Sequence, residues 1–284
     1  VIQSPIPKEV RGVVKCLLRI ARARSVIVLH DIDSMRYSRK ARQIGADLRL
    51  YNSVDAIIAH NTAMKAWLEM RGVRTPTAPL RLFDYLIDGT VGENGDQSSE
   101  GCSPSVAPPN WKHEMVFAGS LSPTKSGFIY KLPDDFPVRI RVFGTVPDPT
   151  FRFPAAVEYC GAFPPGSPTL PSGVFGLVWD GPDISTCSGA GGDYLRINSP
   201  HKVSLYLASG LPVLCWRESA LAEYIESEHL GIAVASLDDV PKRLDALPPH
   251  AYLAMLEQVE KTKSRLRAGH YLTDALARTS AEVT

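Results

Sequence analysis

Short apolar runs rich in β-branched residues alternate with helical patterns along most of this chain. Residues 25–29 (SVIVL), 56–59 (AIIA) and 115–118 (MVFA) are such runs, and a polar residue or a glycine follows each of them. Runs of this length and composition fit strands that are buried on both faces of a parallel sheet, with the intervening helices as crossovers. The alternation therefore predicts an α/β fold with a parallel sheet in each half of the chain.

The remaining elements follow from the same periodicities. The predicted helices lie at residues 10–24, 42–52, 62–70, 200–209 and, as one or two helices, 251–278. Further strands are predicted at residues 138–143, 174–179, 211–216 and 231–234. The first five residues resemble the end of a buried strand, so we expect the N-terminal domain to be incomplete at its start.

The length and one compositional break predict the domain organisation. The 284 residues are enough for two medium α/β domains with separate cores. Over residues 89–112, Gly, Ser, Pro, Asn and acidic residues dominate, which is typical of a linker or long loop. We expect a first domain over residues 1–112 that ends in this loop, a second over residues 113–250, and C-terminal helices over residues 251–284 that pack back toward the first domain.

Charge and cysteine usage exclude several classes of protein. The 31 Lys and Arg residues almost balance the 30 Asp and Glu residues, so no nucleic-acid-binding function is expected. The five cysteines lack C-x-x-C spacing, which argues against a disulfide framework and a zinc site. The sequence contains no apolar run of roughly 20 residues and no signal-peptide pattern. These features favour a cytoplasmic protein.

The segment before the helix predicted at residues 200–209 carries the most informative cluster of polar residues. Arg196, Asn198, His201 and Lys202 fall within seven residues, and Pro200 suits the first turn of a helix. Basic side chains beside a helix N-terminus form a site for a diphosphate that needs no metal ion. The alternative is that Lys202 is a solvated helix residue and His201 a surface or structural histidine.

Several stretches together resemble one bacterial glycosyltransferase family. It includes the β-1,6-galactofuranosyltransferases of polysaccharide assembly and the glucosyltransferase that acts second on serine-rich adhesins. The stretches are NSPHKVSLYLASGLPV (198–213), GLVWDG (176–181), VLHDIDSMR (28–36), LFDY (82–85) and FAGSLS (117–122). The similarity extends over nearly the whole chain.

The resemblance implies a GT-B fold, in which two Rossmann-like domains face each other across a cleft and the C-terminal one binds a UDP-sugar. It implies no divalent metal and no cofactor, because basic side chains and a helix dipole stabilise the departing UDP. By position, Lys202 and Arg196 would hold the diphosphate. The residues expected near the donor phosphate or sugar, or orienting the loop around them, are Asn198, His201, Tyr194, Asp180, Gly119 and Ser120.

One position departs from the broader GT-B pattern. Many such enzymes carry a Glu on this helix that holds the ribose hydroxyls, and Leu205 occupies that position here. Glu223 is a candidate replacement, although a Glu at a helix start is also a common partner of the helix dipole.

The first half is expected to supply the acceptor side of the reaction. His30, Asp31 and Asp33 follow a predicted strand, so one of them could act as the general base for an acceptor hydroxyl. The alternative is that Asp33 caps the following helix and His30 is a structural hydrogen-bonding residue. Asp84 is equally ambiguous.

The resulting hypothesis is a hexosyltransferase that moves a galactofuranosyl or glucosyl unit from UDP to a hydroxyl of a glycan, glycolipid or glycoprotein. Two alternatives stay open. One is a nucleotide-sugar epimerase or hydrolase of the same architecture, and the other is a binding partner subunit that lacks catalysis. Homo-oligomerisation and peripheral association with the inner membrane face are also left open.

Overall fold

The described residues form two parallel β-sheets. The computed structural model describes residues 1–7, 9–20, 24–32, 35, 41–87, 107–146, 148, 150–164, 166, 168, 170–172 and 174–282, and the structural statements below refer to these residues. The first sheet has the order β1-β2-β3-β4, with β1 (Ile2–Ser4), β2 (Val26–Leu29), β3 (Ala56–Ala59) and β4 (Thr77–Pro79). The second has the order β10-β9-β8-β5-β6-β7, with β5 (Glu114–Ala118), β6 (Arg139–Phe143), β7 (Val157–Tyr159), β8 (Phe175–Val178), β9 (Val213–Trp216) and β10 (Gly231–Val234).

Helices connect and cover these strands. They are α1 (Arg11–Ile20), α2 (Ala41–Tyr51), α3 (Thr62–Met70), α4 (Pro123–Ser126), α5 (Gly189–Leu195), α6 (His201–Ala208), α7 (Ala222–Ser227), α8 (Val240–Ala246), α9 (Pro249–Arg267) and α10 (His270–Glu282). Within the described ranges, none of them combines the length and the apolar character that a bilayer crossing requires.

The short helix α5 replaces part of the loop expected before the site. Its glycines let the helix pack closely against the preceding loop. A Cβ atom at Gly192 would clash with the carbonyl of Cys187. Gly181, in the turn that faces this helix, has a φ of 117°, which favours glycine. The sequence pattern misses α5 because glycine has a low intrinsic helix propensity.

Two apolar clusters form the core, and neither follows the division into sheets strictly. The smaller cluster surrounds the first sheet, yet it includes Tyr194 and Ile197 from the second half of the chain. The larger cluster surrounds the second sheet and takes in Val28 and Ile58 from the first. The two halves therefore share buried apolar contacts.

The two C-terminal helices return from the second half to the first. Helix α9 packs against α6, and α10 packs against β3 and β4. The carboxylate of Asp84 accepts hydrogen bonds from the backbone N–H groups of Tyr271 (3.0 Å) and Leu272 (2.8 Å), at the start of α10. Asp84 thus has a structural role as a cap for this helix.

Candidate active site

A cavity of about 930 Å³ lies between the two sheets. Residues one or two positions after β2, β3, β5, β6 and β8 contribute to its wall, so it lies at the carboxyl ends of parallel strands, where α/β proteins bind ligands. The cavity brings together nine of the residues predicted from sequence: His30, Asp31, Gly119, Ser120, Asp180, Tyr194, Asn198, His201 and Lys202.

Lys202 is a largely buried cation in this wall. Its ammonium group donates to Oδ1 of Asp180 at 2.7 Å and to the carbonyl of Trp179 at 3.2 Å. It also lies 4.4 Å from the centre of the Phe117 ring. The Lys202 and Asp180 side chains are only 9% and 10% exposed. Since an ammonium group has three N–H donors, these two hydrogen bonds leave one donor for a ligand.

Helix α6 directs its N-terminus at the same cavity. It begins directly after Pro200, and residues 203–208 are all buried, which anchors the helix beneath the cavity. The first N–H groups of a helix lack intrahelical partners and carry a partial positive charge. Asn198, which lies just before the helix, also lines the cavity. Backbone and side-chain polar groups therefore converge at the place where the sequence predicts a diphosphate.

The segment before α6 is attached to the first half by buried hydrogen bonds. The backbone N–H of Ser199 donates to Nδ1 of His60 at 3.0 Å, and Nδ2 of Asn61 donates to the Ser199 hydroxyl at 3.0 Å. We call these three residues the Ser199 clasp. Nearby, the backbone N–H of Ile32 donates to the Tyr194 hydroxyl at 3.0 Å. Tyr194 therefore holds the two halves together as well as lining the cavity.

Aromatic rings from both halves stack beside the clasp. Phe83 stacks on both His30 and His201, with ring centroids 5.5 Å and 4.2 Å away, and the two histidine rings stack on each other at 6.2 Å. The edge of the His60 ring meets Phe83 at 4.8 Å. Burial, together with electrostatic repulsion from the neighbouring His201, lowers the pKa of His60 from 6.5 to about 3. Nε2 of His60 and Nε2 of His30 are buried and lack a hydrogen-bond partner among the described residues.

The predicted general-base candidates have different outcomes. His30 and Asp31 both line the cavity. Burial lowers the pKa of His30, against the opposing charge of Asp31, so the ring is mainly neutral at neutral pH and can accept a proton. Asp33 lies outside the described residues.

The loop after β5 also contributes to the cavity wall. Gly119 and Ser120, which the resemblance places near the donor, line the cavity, and the Ser120 carbonyl accepts a hydrogen bond from the Ser126 hydroxyl at 2.7 Å. Lys125 in α4 also lines it, and its carbonyl accepts from the N–H of Gly181 at 2.6 Å. Sequence reasoning missed Lys125. Its position six residues after Gly119, in the short helix that follows this loop, is the signal that could have identified it.

Two predicted donor residues lie elsewhere. Arg196 forms an ion pair with Glu218, and its guanidinium group lies 4.5 Å from the centre of the Trp216 ring, with about half of the side chain exposed. Glu223 is in the first turn of α7, where the helix dipole favours a carboxylate. Neither is among the described residues that line the cavity, whereas Leu205 is.

Two protein-family models match this chain. A sequence model of the glucosyltransferase 3-like C-terminal domain matches residues 115–279, and one of the glucosyltransferase 3-like N-terminal domain matches residues 1–82. The chain belongs to the glucosyltransferase 3-like family. The resemblance inferred from the sequence motifs is thereby confirmed.

Two relatives of this glucosyltransferase 3-like chain carry the names of glycosyltransferases. It is 31% identical over 279 residues to the β-1,6-galactofuranosyltransferase WbbI of Escherichia coli K12, which covers 97% of this chain and 77% of the relative. It is 26% identical over 271 residues to glucosyltransferase 3 of Streptococcus gordonii, with 94% and 73% covered. The chain is therefore a member of a glycosyltransferase family.

Solved structures confirm the fold class of the glucosyltransferase 3-like chain. Sucrose-phosphate synthase from Thermosynechococcus elongatus superposes with a TM-score of 0.55 at 14% identity, covering 96% of this chain and 72% of that one. HepE of Anabaena in complex with UDP-glucose gives a TM-score of 0.56 at 13% identity, covering 97% and 77%. The GT-B fold expected from sequence is confirmed.

Proposed function

We propose that this chain transfers a hexosyl unit from a UDP-sugar to a glycan or glycoconjugate hydroxyl without a metal ion. The observation that carries the proposal is Lys202, a buried ammonium group at the first turn of α6, in a cavity between the two halves. A diphosphate placed at this turn would accept hydrogen bonds from the helix N-terminus and from the remaining Lys202 donor.

The names of relatives support the donor class. HepE was solved with UDP-glucose, and the curated relatives are named for galactofuranosyl and glucosyl transfer. Galactofuranose and glucose are accordingly the two sugars that we propose to test first.

The proposed chemistry separates two roles. The acceptor hydroxyl oxygen forms a bond to the anomeric carbon, and the bond between that carbon and the UDP oxygen breaks, so the electron pair leaves with UDP. Asp180 offsets part of the positive charge of Lys202. Further positive potential for the diphosphate comes from Lys125 and from the N-terminus of α6. In an inverting displacement, His30 or Asp31 would take the hydroxyl proton.

This division of roles follows the chain. We propose that residues 1–112 supply the acceptor side, residues 113–250 hold the donor, and residues 251–284 connect the two. The first half contributes His30 and Asp31 to the cavity wall and the second half contributes Lys202 and Lys125, which supports that assignment.

A second candidate function is a UDP-sugar-binding subunit without transfer activity. It is favoured by Leu205, which lines the cavity at the position where many GT-B enzymes carry a ribose-binding Glu. A further structural neighbour, with a TM-score of 0.51 at 14% identity, covers 95% of this chain and 60% of the other, and is described as a GtfA/B complex. We propose a protein partner as part of this second candidate.

Calorimetry with UDP tests the donor site. The Lys202→Met substitution is expected to weaken UDP binding about 10- to 100-fold, since a hydrogen bond to a charged group contributes roughly 1.5–3 kcal/mol. Lys131→Met is the matched control, because the Lys131–Asp183 pair is exposed and lies outside the cavity wall. Unchanged UDP affinity in a folded Lys202→Met variant, or no UDP binding by the wild type, would contradict the proposal.

Transfer assays separate the two candidates and the hydrolase alternative. We expect UDP-glucose or UDP-galactofuranose to yield a glycosylated product with a panel of glycan acceptors. Release of free sugar at the same rate without an acceptor would favour a hydrolase. UDP binding without transfer to any acceptor would favour the partner subunit.

A further inference from the structure

His60 connects the first half of the molecule to the proposed phosphate site in the second. It follows β3, and only 1% of its surface is exposed. Its Nδ1 accepts the hydrogen bond from the backbone N–H of Ser199 at 3.0 Å, and its carbonyl accepts from the Ser199 hydroxyl at 3.4 Å. Both partners are buried, so water does not compete for these hydrogen bonds.

The hydrogen bond at Nδ1 requires a neutral imidazole. Both nitrogens of a protonated ring are donors, so a charged His60 could not accept from Ser199. Burial and electrostatic repulsion from His201 lower the pKa of His60 and favour the neutral ring, although the nearby carbonyls of His30 and Leu29 oppose this effect. The proton of the neutral ring then resides on Nε2. The Ser199 clasp is therefore stable at neutral and mildly acidic pH.

The position of Ser199 in the chain gives this hydrogen bond a consequence for α6. Ser199 lies three residues before Lys202, and its amide is separated from the helix start by Pro200 alone. Proline fixes its own φ angle, so little backbone freedom remains between the clasp and the first turn of the helix. A shift of the Ser199 amide would therefore move that turn.

Asn61 strengthens the connection from the same strand end. Its Oδ1 accepts from the N–H of Met64 as the cap of α3, while its Nδ2 donates to the Ser199 hydroxyl. The first half thus holds Ser199 through two adjacent residues whose own positions are fixed by β3 and α3.

We propose that His60 is a positioning residue for the departing diphosphate, because its Nδ1 fixes the Ser199 amide and with it the first turn of α6 and Lys202. The inference rests on the proposed function, since it requires the diphosphate to bind at that turn. The hydrogen bond between His60 and Ser199 also couples the two halves, so that a change in their relative position alters the proposed phosphate site.

Steady-state kinetics with the UDP-sugar, together with UDP calorimetry, test this role. His60→Ala removes the acceptor for Ser199 and is expected to raise the KM for the donor and the Kd for UDP about tenfold, the loss expected for one buried hydrogen bond. The KM for the acceptor is expected to stay within about twofold, because the general-base side is not displaced. His60→Gln offers an amide oxygen to the Ser199 N–H, so it is expected to recover most of the donor affinity. His250→Gln, at an exposed histidine in α9, is the matched control.

The outcomes distinguish this inference from the proposed function. If the wild type binds no UDP, the proposed function fails and the inference falls with it. If the wild type binds UDP and folded His60→Ala binds it equally well, only the inference fails. Equal losses of donor affinity in His60→Ala and His60→Gln would also overturn it. If His60→Ala does not fold, His60→Gln is measured alone: faster hydrogen exchange at the Ser199 amide together with unchanged UDP affinity would overturn the inference.

Discussion

At the scale of single residues, the proposed site concentrates charge where charge is costly to bury. Removing Lys202 and Asp180 from water carries a desolvation penalty, which their mutual attraction and the hydrogen bond to Trp179 offset. The Lys131–Asp183 pair has nearly the same separation, but its side chains are 56% and 41% exposed and pay little of this penalty. A buried pair of this kind is held in one geometry, which suits the diphosphate site proposed above.

The lowered pKa of His60 predicts how folding stability depends on pH. Its pKa falls from 6.5 in the unfolded chain to about 3 in the folded one. Between these values the unfolded state binds more protons, so folding stability decreases as the pH falls, by up to about 1.4 kcal/mol per pH unit. We expect His60→Gln to show a shallower loss of stability than the wild type in urea titrations between about pH 6.5 and pH 4.5.

The difference between the stability curves of the wild type and of His60→Gln isolates the contribution of His60 from those of other titrating groups. The pKa of His30 is also lowered by burial, and its contribution is present in both proteins. Parallel stability curves for wild type and His60→Gln would show that His60 does not carry the lowered pKa.

Local sequence predicts those site residues that are close together in the chain. Asn198, His201 and Lys202 occupy one short segment at a helix start, so their shared chemistry is visible without a structure. His60 lies 139 residues from Ser199, and only the pairing of the two halves brings them together. Arg196 shows the opposite error: it lies close to Asn198 and Lys202 in the chain, but its side chain turns toward Glu218, which the local sequence does not reveal.

At the scale of elements, the contact between β8 and α6 determines where the proposed phosphate site lies. Gly176 in β8 faces the Tyr206 ring of α6. The Tyr206 hydroxyl accepts from the N–H of Ala118 at 2.8 Å and donates to the carbonyl of Leu177 at 3.1 Å, so it joins the helix to two strands. The absence of a side chain at Gly176 allows this close approach.

The Gly176→Ala substitution tests this contact. The added Cβ atom would clash with the Tyr206 ring, which two buried hydrogen bonds hold in place. We expect the free energy of unfolding to fall by about 1–3 kcal/mol, as measured by chemical denaturation. Gly45→Ala in α2 is the control: its Cβ would meet only the end of the Arg49 side chain, and we expect a gain of roughly 0.5–1 kcal/mol. An unchanged stability of Gly176→Ala would indicate that α6 can move away from β8.

Buried strands are the elements that sequence predicts best here. The runs that became β3, β5 and β10 are apolar and continuous, because both faces of these strands are covered. Strand β7 was missed, since it is an edge strand of three residues with two exposed side chains. Helix α5 was missed because its glycines have a low intrinsic helix propensity, although they allow the helix to pack closely against the preceding loop.

At the scale of the whole molecule, the C-terminal helices connect the two halves. Besides the cap that Asp84 provides for α10, Nη2 of Arg278 donates to the carbonyl of Pro79 at 3.0 Å. Both contacts join residues nearly 200 positions apart in the chain. No pattern in the sequence marks Asp84 as a cap, because the helix that it caps is so distant.

Removing that cap is expected to loosen α10 as a unit. Asp84→Ala should lower the free energy of unfolding by about 0.5–2 kcal/mol, the usual effect of losing a helix cap. Hydrogen exchange at the amides of Tyr271 and Leu272 should become faster, which mass spectrometry can measure. Asp274→Ala, which breaks an exposed ion pair within the same helix, is expected to cost less than about 1 kcal/mol. Unchanged exchange at the two amides in Asp84→Ala would rule out this capping role.

The packing of Tyr194 and Ile197 into the first-half core has a consequence for engineering. A chimaera that joins the first half of one relative to the second half of another would normally be cut at the boundary between the sheets. In this molecule, such a cut would leave Tyr194, Ile197 and Ser199 facing a core and a clasp from a different parent. Residues 194–199 should therefore be exchanged together with the first half, although they belong to the second half of the chain.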